Sequence, residues 1–147
     1  MKILLVSSSG GHWVQMCRVK DAFQGEDIYF ASTENSYGQH NPESPFFYLP
    51  DASRWNKLKL IWQAFSVLVL LIRLKPDIIL TTGASVGVFA LILGKKLGAR
   101  TIWLDSIANS EELSLSGQKV RKYADLYLTQ WQHLATNNGP EYAGSVI

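Results

Sequence analysis

The chain has 147 residues, 47% of them hydrophobic and 18% charged, with a mean hydropathy of +0.02. That length fits one domain, the apolar share excludes a disordered chain, and Cys17, the single cysteine, excludes an intrachain disulfide scaffold. A net charge of +2 is too mild for the concentrated basic face of a nucleic-acid binder, so no nucleic-acid partner is expected.

The apolar run Ile3–Val6 stops at Ser7. A secretory signal core needs ~7–15 apolar residues, so the expectation is a protein of the cytoplasm. Lys2–Ser8 is a short, apolar run closed by Gly10 and Gly11, which predicts a buried strand. His12–Phe23 predicts a helix with Trp13, Met16, Val19 and Phe23 near one face. Asp27–Ser32 predicts a second strand, Thr33–Pro45 a polar loop and Phe46–Leu49 a third strand. A long helix follows, capped near Asp51 or Ser53 and ended before Pro76. Asp77–Thr82 predicts a strand, Ser85–Leu97 an apolar helix with Gly98 as its C-cap, and Thr101–Asp105 a fifth strand. A short helix over Ser116–Tyr123 leads to a sixth strand at Asp125–Thr129, and Tyr142–Ile147 suits a short extended piece.

Alternating strands and helices with near-continuous apolar strands predict an α/β fold, a Rossmann-like doubly wound parallel sheet in one domain over residues 1–147. Ligands of such sheets gather at the carboxyl ends of the strands. That rule selects the loops Ser7–His12, Thr82–Ser85 and Asp105–Glu112.

Ser9, Gly10 and Gly11 open a helix, as do Gly83, Ala84 and Ser85. Small residues at two helix N-termini on one sheet edge suit an anion between them; the alternative is tight strand-to-helix packing with no ligand. The first loop lacks the third glycine of the dinucleotide fingerprint, since Met16 and Cys17 stand there, and it lacks the Gly-Lys-Ser/Thr of a P-loop. His12 is a candidate base or phosphate ligand, against a capping or packing role. Asp105, ending a strand, is a second candidate base, with Ser106 beside it; Glu111 and Glu112 suit a solvated pair. His12, His40 and His133 are scattered, so no metal site is expected.

Leu58–Ile72 is the most hydrophobic stretch. A fifteen-residue helix spans ~22 Å, short of a ~30 Å hydrocarbon core. Asn56, Lys59, Gln63, Ser66 and Arg73 fall in one narrow polar stripe. The helix therefore has apolar area to spare for a second surface. With Arg54, Lys57, Lys59, Arg73 and Lys75 flanking it, contact of Trp62, Phe65, Leu68, Val69 and Ile72 with an anionic membrane surface is expected; burial within the domain is the alternative.

Ser8-Ser9-Gly10-Gly11-His12, the block Lys75–Gly83, Leu113–Gly117, Ala124-Asp125 and Gln130-Trp131 recur together in one order. In this the chain resembles the Alg-fourteen-like oligosaccharide biosynthesis family, including bacterial PssD and CpsF-type polysaccharide proteins. The Gly-Gly-His loop also resembles the amino-terminal domain of MurG-type transferases. The resemblance implies the amino-terminal half of a GT-B glycosyltransferase, with the nucleotide-sugar half on a separate polypeptide. It implies transfer, expected to be inverting, from a UDP-sugar to a polyprenyl-diphosphate-linked sugar, at the cytoplasmic face of the membrane, and inactivity without the partner. Carried over by position, Gly10, Gly11 and His12 fall on the family's first loop, and Gly83, Ala84 and Ser85 on its second. Asp105-Ser106 stands where Glu-Ser is frequent, Trp13 where Thr is, and Gln15 where Glu is; the arginine that often follows the Glu-Ser is absent. Eukaryotic members usually carry an amino-terminal anchor; here the sequence opens on the first strand, which leaves Leu58–Ile72 as the expected membrane element. The rival readings are a free-standing cofactor-binding Rossmann protein, with Glu34 as its ribose acid, and a non-catalytic membrane scaffold.

Overall fold

Alternation along β1 (Lys2–Ser7) sends Ile3 and Leu5 into one core and Leu4 and Val6 into another. All four are at most 1% exposed, as expected of a strand covered on both faces. The computed structural model describes residues 1–146. Six further strands join β1: β2 (Asp27–Ser32), β3 (Phe46–Tyr48), β4 (Ile78–Thr81), β5 (Arg100–Leu104), β6 (Leu126–Thr129) and β7 (Glu141–Tyr142). Every pairing is parallel, in the order β3-β2-β1-β4-β5-β6-β7.

The chain winds outward from β1 through β2 to β3, then returns to lay β4 on the other side of β1. The reversal puts a crevice above the carboxyl ends of β1 and β4. Helix α1 (Gly11–Val19) covers one face, with Trp13 and Met16 against Ile3, Leu5 and Phe30. Helices α2 (Lys57–Leu74), α3 (Ala84–Lys96) and α4 (Leu115–Val120) share the opposite core. Gly87 and Gly94 let α3 lie close on the sheet: a Cβ on either would come within 2.1 Å of Thr81 Oγ1 or 2.2 Å of Ile79 Cδ1.

The expected doubly wound sheet is present. Several boundaries differ. α1 stops at Val19, and Lys20–Phe23 tighten into a 3-10 turn because the chain must return to begin β2 beside β1. α2 is capped by Asn56, whose side chain accepts the Lys59 N–H at 3.1 Å, and not by Asp51 or Ser53. Asp51 is occupied locally with the Ala52 N–H at 2.9 Å. At its other end Lys75 takes a left-handed φ of 52° before Pro76 stops the helix. The C-cap of α3 is Leu97, and Gly98 holds the following left-handed position at φ 91°. The tail contributes only the two-residue β7, and Ile147 lies outside the described residues.

The polar stripe of α2 is divided: Asn56, Lys59 and Arg73 are exposed, Ser66 is half-buried and Gln63 is buried. Gln63 is 0% exposed; its Nε2 donates to the Pro50 carbonyl at 2.9 Å and its Oε1 accepts the Ser85 hydroxyl at 2.9 Å. Asn56 is spent on the cap, and Ser66 donates back to the Trp62 carbonyl. Of the apolar residues expected at an outer surface, Trp62, Phe65 and Ile72 are exposed, as are Leu58 and Ile61, while Leu68 and Val69 are half-buried. Trp62 and Phe65, 59% and 55% exposed, stack on each other at 6.0 Å.

Candidate functional site

Each strand at the reversal is followed, within three residues, by a glycine that caps a helix without help from a side chain. Gly10 precedes α1 at φ 78° and Gly83 precedes α3 at φ 133°, ψ −166°. The second conformation is open essentially to glycine alone. Ala84, the next residue, carries φ 67°, a left-handed value that costs an L-residue about 1–2 kcal/mol. Neither cap has a side chain to accept the first-turn N–H groups; the Gly10 carbonyl takes the Trp13 N–H at 3.1 Å, and the earliest N–H groups of both helices are left for an anion at the crevice.

His12 stands between these two N-termini. Its Nδ1 lies 2.7 Å from the Thr82 carbonyl oxygen. A carbonyl only accepts, so Nδ1 carries the proton and Nε2 of the neutral ring is an acceptor. The Thr82 hydroxyl donates in turn to the His12 carbonyl at 2.7 Å. Gly83 makes the room: a Cβ there would sit 2.7 Å from His12 Cε1. The imidazole borders a cavity of about 240 Å³ with Gly83, Ala84, Asp105, Ser106 and Asn109 on its other walls.

Asp105 is 2% exposed, and its carboxylate is fully engaged. It accepts from Trp103 Nε1 at 3.0 Å, Ser114 N–H at 2.9 Å, the Ser114 hydroxyl and Asn109 Nδ2 at 3.4 Å. Four donors meet its lone pairs, and no other site residue competes for them. The group ties the loop after β5 to the N-cap of α4, where Ser114 accepts the Gly117 N–H. Burial first, then the nearby Asp105 carboxylate, pushes the Tyr127 phenol well above its ordinary value.

Ser106 is likewise committed, accepting from Gln15 Nε2 at 3.1 Å and from the Ala108 N–H at 3.2 Å. Gln15, 6% exposed, also accepts from the Ile107 N–H at 3.1 Å and from Gln130 Nε2 at 2.6 Å. Only a carboxamide both donates and accepts in this way, so glutamine at position 15 clamps α1 to the loop after β5.

The fold thus gathers His12, Gly83, Ala84, Asp105 and Ser106 around one cavity. Ser9, Gly10 and Gly11 are exposed at its rim, outside the lining. Ser85 turns away, its hydroxyl bonded to Gln63 and to the Ala52 carbonyl at 3.3 Å. Thr82 and Asn109, which lie in two of the loops selected from the sequence, and Ser114 and Ser116 join the lining, though none was a candidate site residue. Ser114 had a further signal, a serine at the N-cap of a short helix.

On the other side of β1 the space is filled. Trp13 stacks on Tyr37 at 4.5 Å, and the Tyr37 hydroxyl accepts the Gly10 N–H at 3.0 Å. Glu34, the candidate ribose acid, binds its own turn: the Ser36 N–H and hydroxyl hold its carboxyl below the usual range. Among the described residues no cluster of three or more His, Cys, Asp or Glu side chains is placed to hold a metal ion. A larger cavity, about 570 Å³, lies away from this site, between α2 and the end of β3.

Residues 52–146 match the family described as oligosaccharide biosynthesis protein Alg14 like. The chain belongs to this family. Among similar proteins, the UDP-N-acetylglucosamine transferase subunit ALG14 of Mus musculus is 25% identical over 168 residues, covering 91% of this chain and 77% of that protein. The subunit alg14 of Schizosaccharomyces pombe is 34% identical over 93 residues, 59% of this chain and 40% of the yeast protein's length. Among solved structures, MurG of Acinetobacter baumannii superposes with a TM-score of 0.79 at 13% identity, over 100% of this chain and 46% of that one. A UDP-N-acetylglucosamine 2-epimerase of Rickettsia bellii gives 0.74 at 14% identity, over 99% and 45%. At such identities these two show the shared Rossmann-like fold, and each is more than twice as long as the part this Alg14-like domain matches.

Proposed function

We propose that this Alg14-like chain is the acceptor-binding, membrane-recruiting subunit of a two-component glycosyltransferase. The nucleotide-sugar half arrives on a separate polypeptide, and the sugar passes, with inversion, from a UDP-sugar to a polyprenyl-diphosphate-linked sugar. The observation that carries the reading is His12: pinned through Nδ1 to Thr82, it leaves an acceptor nitrogen at a cavity flanked by two helix N-termini. In the reaction Nε2 takes the proton of an acceptor hydroxyl while the hydroxyl oxygen bonds to the anomeric carbon. The bond from that carbon to the nucleoside diphosphate breaks, and the diphosphate leaves with the electron pair. The first turns of α1 and α3 supply N–H groups suited to the acceptor diphosphate. Asp105 acts as a positioning residue, because its oxygens are already engaged. Relatives named as transferase subunits support the division of labour.

Membrane recruitment rests on α2. No helix among the described residues is long and apolar enough to cross a membrane. The exposed Leu58, Ile61, Trp62, Phe65 and Ile72, with Lys57, Lys59 and Arg73 and no acidic residue on the same helix, suit an anionic lipid surface at the cytoplasmic face.

The test is a transfer assay on lipid-linked sugar, with the chain alone, its partner alone, and both. Turnover only in the mixture is expected; transfer at enzymatic speed by the chain alone overturns the reading. In vesicle sedimentation, Leu58→Asp with Ile61→Asp should release the protein from anionic vesicles, and undiminished binding removes α2 from recruitment.

A further inference from the structure

A cavity larger than the one at His12 is an apolar groove of about 570 Å³, walled by the end of β3 and Pro50 on one side and by Trp62, Val69 and Leu74 of α2 on the other. It follows α2 from Trp62 to Leu74, a run of roughly 18 Å at the helical rise. Arg73, near the far end, is the only charged residue on its walls.

The near end is joined to the start of α3 by a chain of hydrogen bonds. Pro50 lines the groove, and its carbonyl accepts from Gln63 Nε2 at 2.9 Å. Gln63 Oε1 accepts the hydroxyl of Ser85, the second residue of α3, at 2.9 Å. The same hydroxyl lies 3.3 Å from the Ala52 carbonyl. One loop, residues 50–56, therefore links the groove to the N-terminus of α3, and it carries Arg54, whose guanidinium lies over the Trp55 ring. Arg54 on that loop and the first-turn N–H groups of α3 at one end, and a trough without charge as far as Arg73 leading away from it, complement an anionic head joined to a long apolar chain. A free phosphate has no use for the trough, and an apolar peptide has none for the anion site.

We infer that the groove takes the head-proximal stretch of the acceptor's polyprenyl chain, while the diphosphate lies at the N-termini of α1 and α3. This rests on the acceptor-binding reading and adds where the chain goes. The lipid is then partly drawn out of the bilayer, and the exposed ridge of Leu58 and Ile61 keeps the membrane contact. Gln63, buried between groove and site, holds the two in register.

The test uses the complex with its partner on anionic vesicles. The probe is a polyprenyl-diphosphate-linked sugar with a photoreactive diazirine near the head end of its chain; a phospholipid with a diazirine in its acyl chain is the control. The acceptor probe should label Tyr48, Pro50, Ser66 or Val69, and the phospholipid should label Leu58 and Ile61. Labelling of the ridge alone by the acceptor, or equal groove labelling by the phospholipid, overturns the inference. Val69→Trp, which fills the trough, should raise KM for a long-chain acceptor roughly tenfold relative to a short-chain one, the effect of losing one or two buried methylene contacts. An unchanged KM ratio in a variant of wild-type thermal stability counts against the groove. Transfer to the short-chain acceptor, which does not need the groove, tests the underlying reading on its own: its absence from the complex defeats that reading, whereas its presence with ridge-only labelling defeats the groove alone.

Discussion

His12 and Thr82 are joined by two hydrogen bonds running in opposite directions, ring Nδ1 to the Thr82 carbonyl and Thr82 hydroxyl to the His12 carbonyl, each 2.7 Å. One residue opens α1 and the other follows β4. The pair therefore closes the crevice where the strand order reverses, and it orients the imidazole through its tautomer and its backbone together.

His12→Ala should lower turnover of the complex by about a hundredfold to ten-thousandfold, the usual contribution of a positioned base, with an unchanged thermal melt. Full activity of the folded variant would leave the protein as a scaffold. Thr82→Val keeps the carbonyl that holds Nδ1 but loses the hydroxyl donor, and should cost about 1 kcal/mol in denaturant titration. Its loss of kcat should be smaller than that of His12→Ala.

Gly83→Ala tests the space around the ring. The added carbon would lie 2.7 Å from His12 Cε1, at a backbone φ of 133°. Strain of about 1–3 kcal/mol is expected in the melt, with displacement of the imidazole visible as an NMR shift of its ring protons and a fall in kcat.

Asp105→Asn separates a base from a scaffold. The amide nitrogen would confront donors from Trp103 or Ser114 that now meet a carboxylate oxygen. A loss of about 1–3 kcal/mol in stability is expected from a buried donor left unmatched. The shape of the pH–rate profile should stay that of the wild type. A lost limb in that profile, with stability intact, would restore Asp105 as a base.

Asp125 gives the fold an acid-sensitive contact. Its hydrogen bond with Lys95 first, and the Thr101 N–H after it, hold the carboxyl below its ordinary value of 3.8. A depressed folded value means the stabilisation is present above 3.8 and is lost as pH falls through the lower folded value. Asp125→Asn should therefore lower Tm at neutral pH, and the gap from wild type should close at acid pH. A gap that stays constant across that range would contradict the assignment.

Much of the frame was open to a reading of residues alone. Apolar strands of β-branched residues, helices closed by Gly or Pro and two glycine loops after β1 and β4 dictate a doubly wound sheet, because strand and helix periods are local properties. The position of His12 after Gly10 and Gly11 at a strand end was equally legible. Local periodicity showed that α2 has apolar area to spare, but it did not reveal that Gln63, in its polar stripe, is buried between Pro50 and Ser85. Nor did it reveal that Asp105 is saturated by Trp103, Asn109 and Ser114. Strand and helix type follow from neighbours a few residues away in sequence. Which lone pair is free and which face is covered depend on partners such as Thr82, 70 residues from His12, and only the packed chain brings those together.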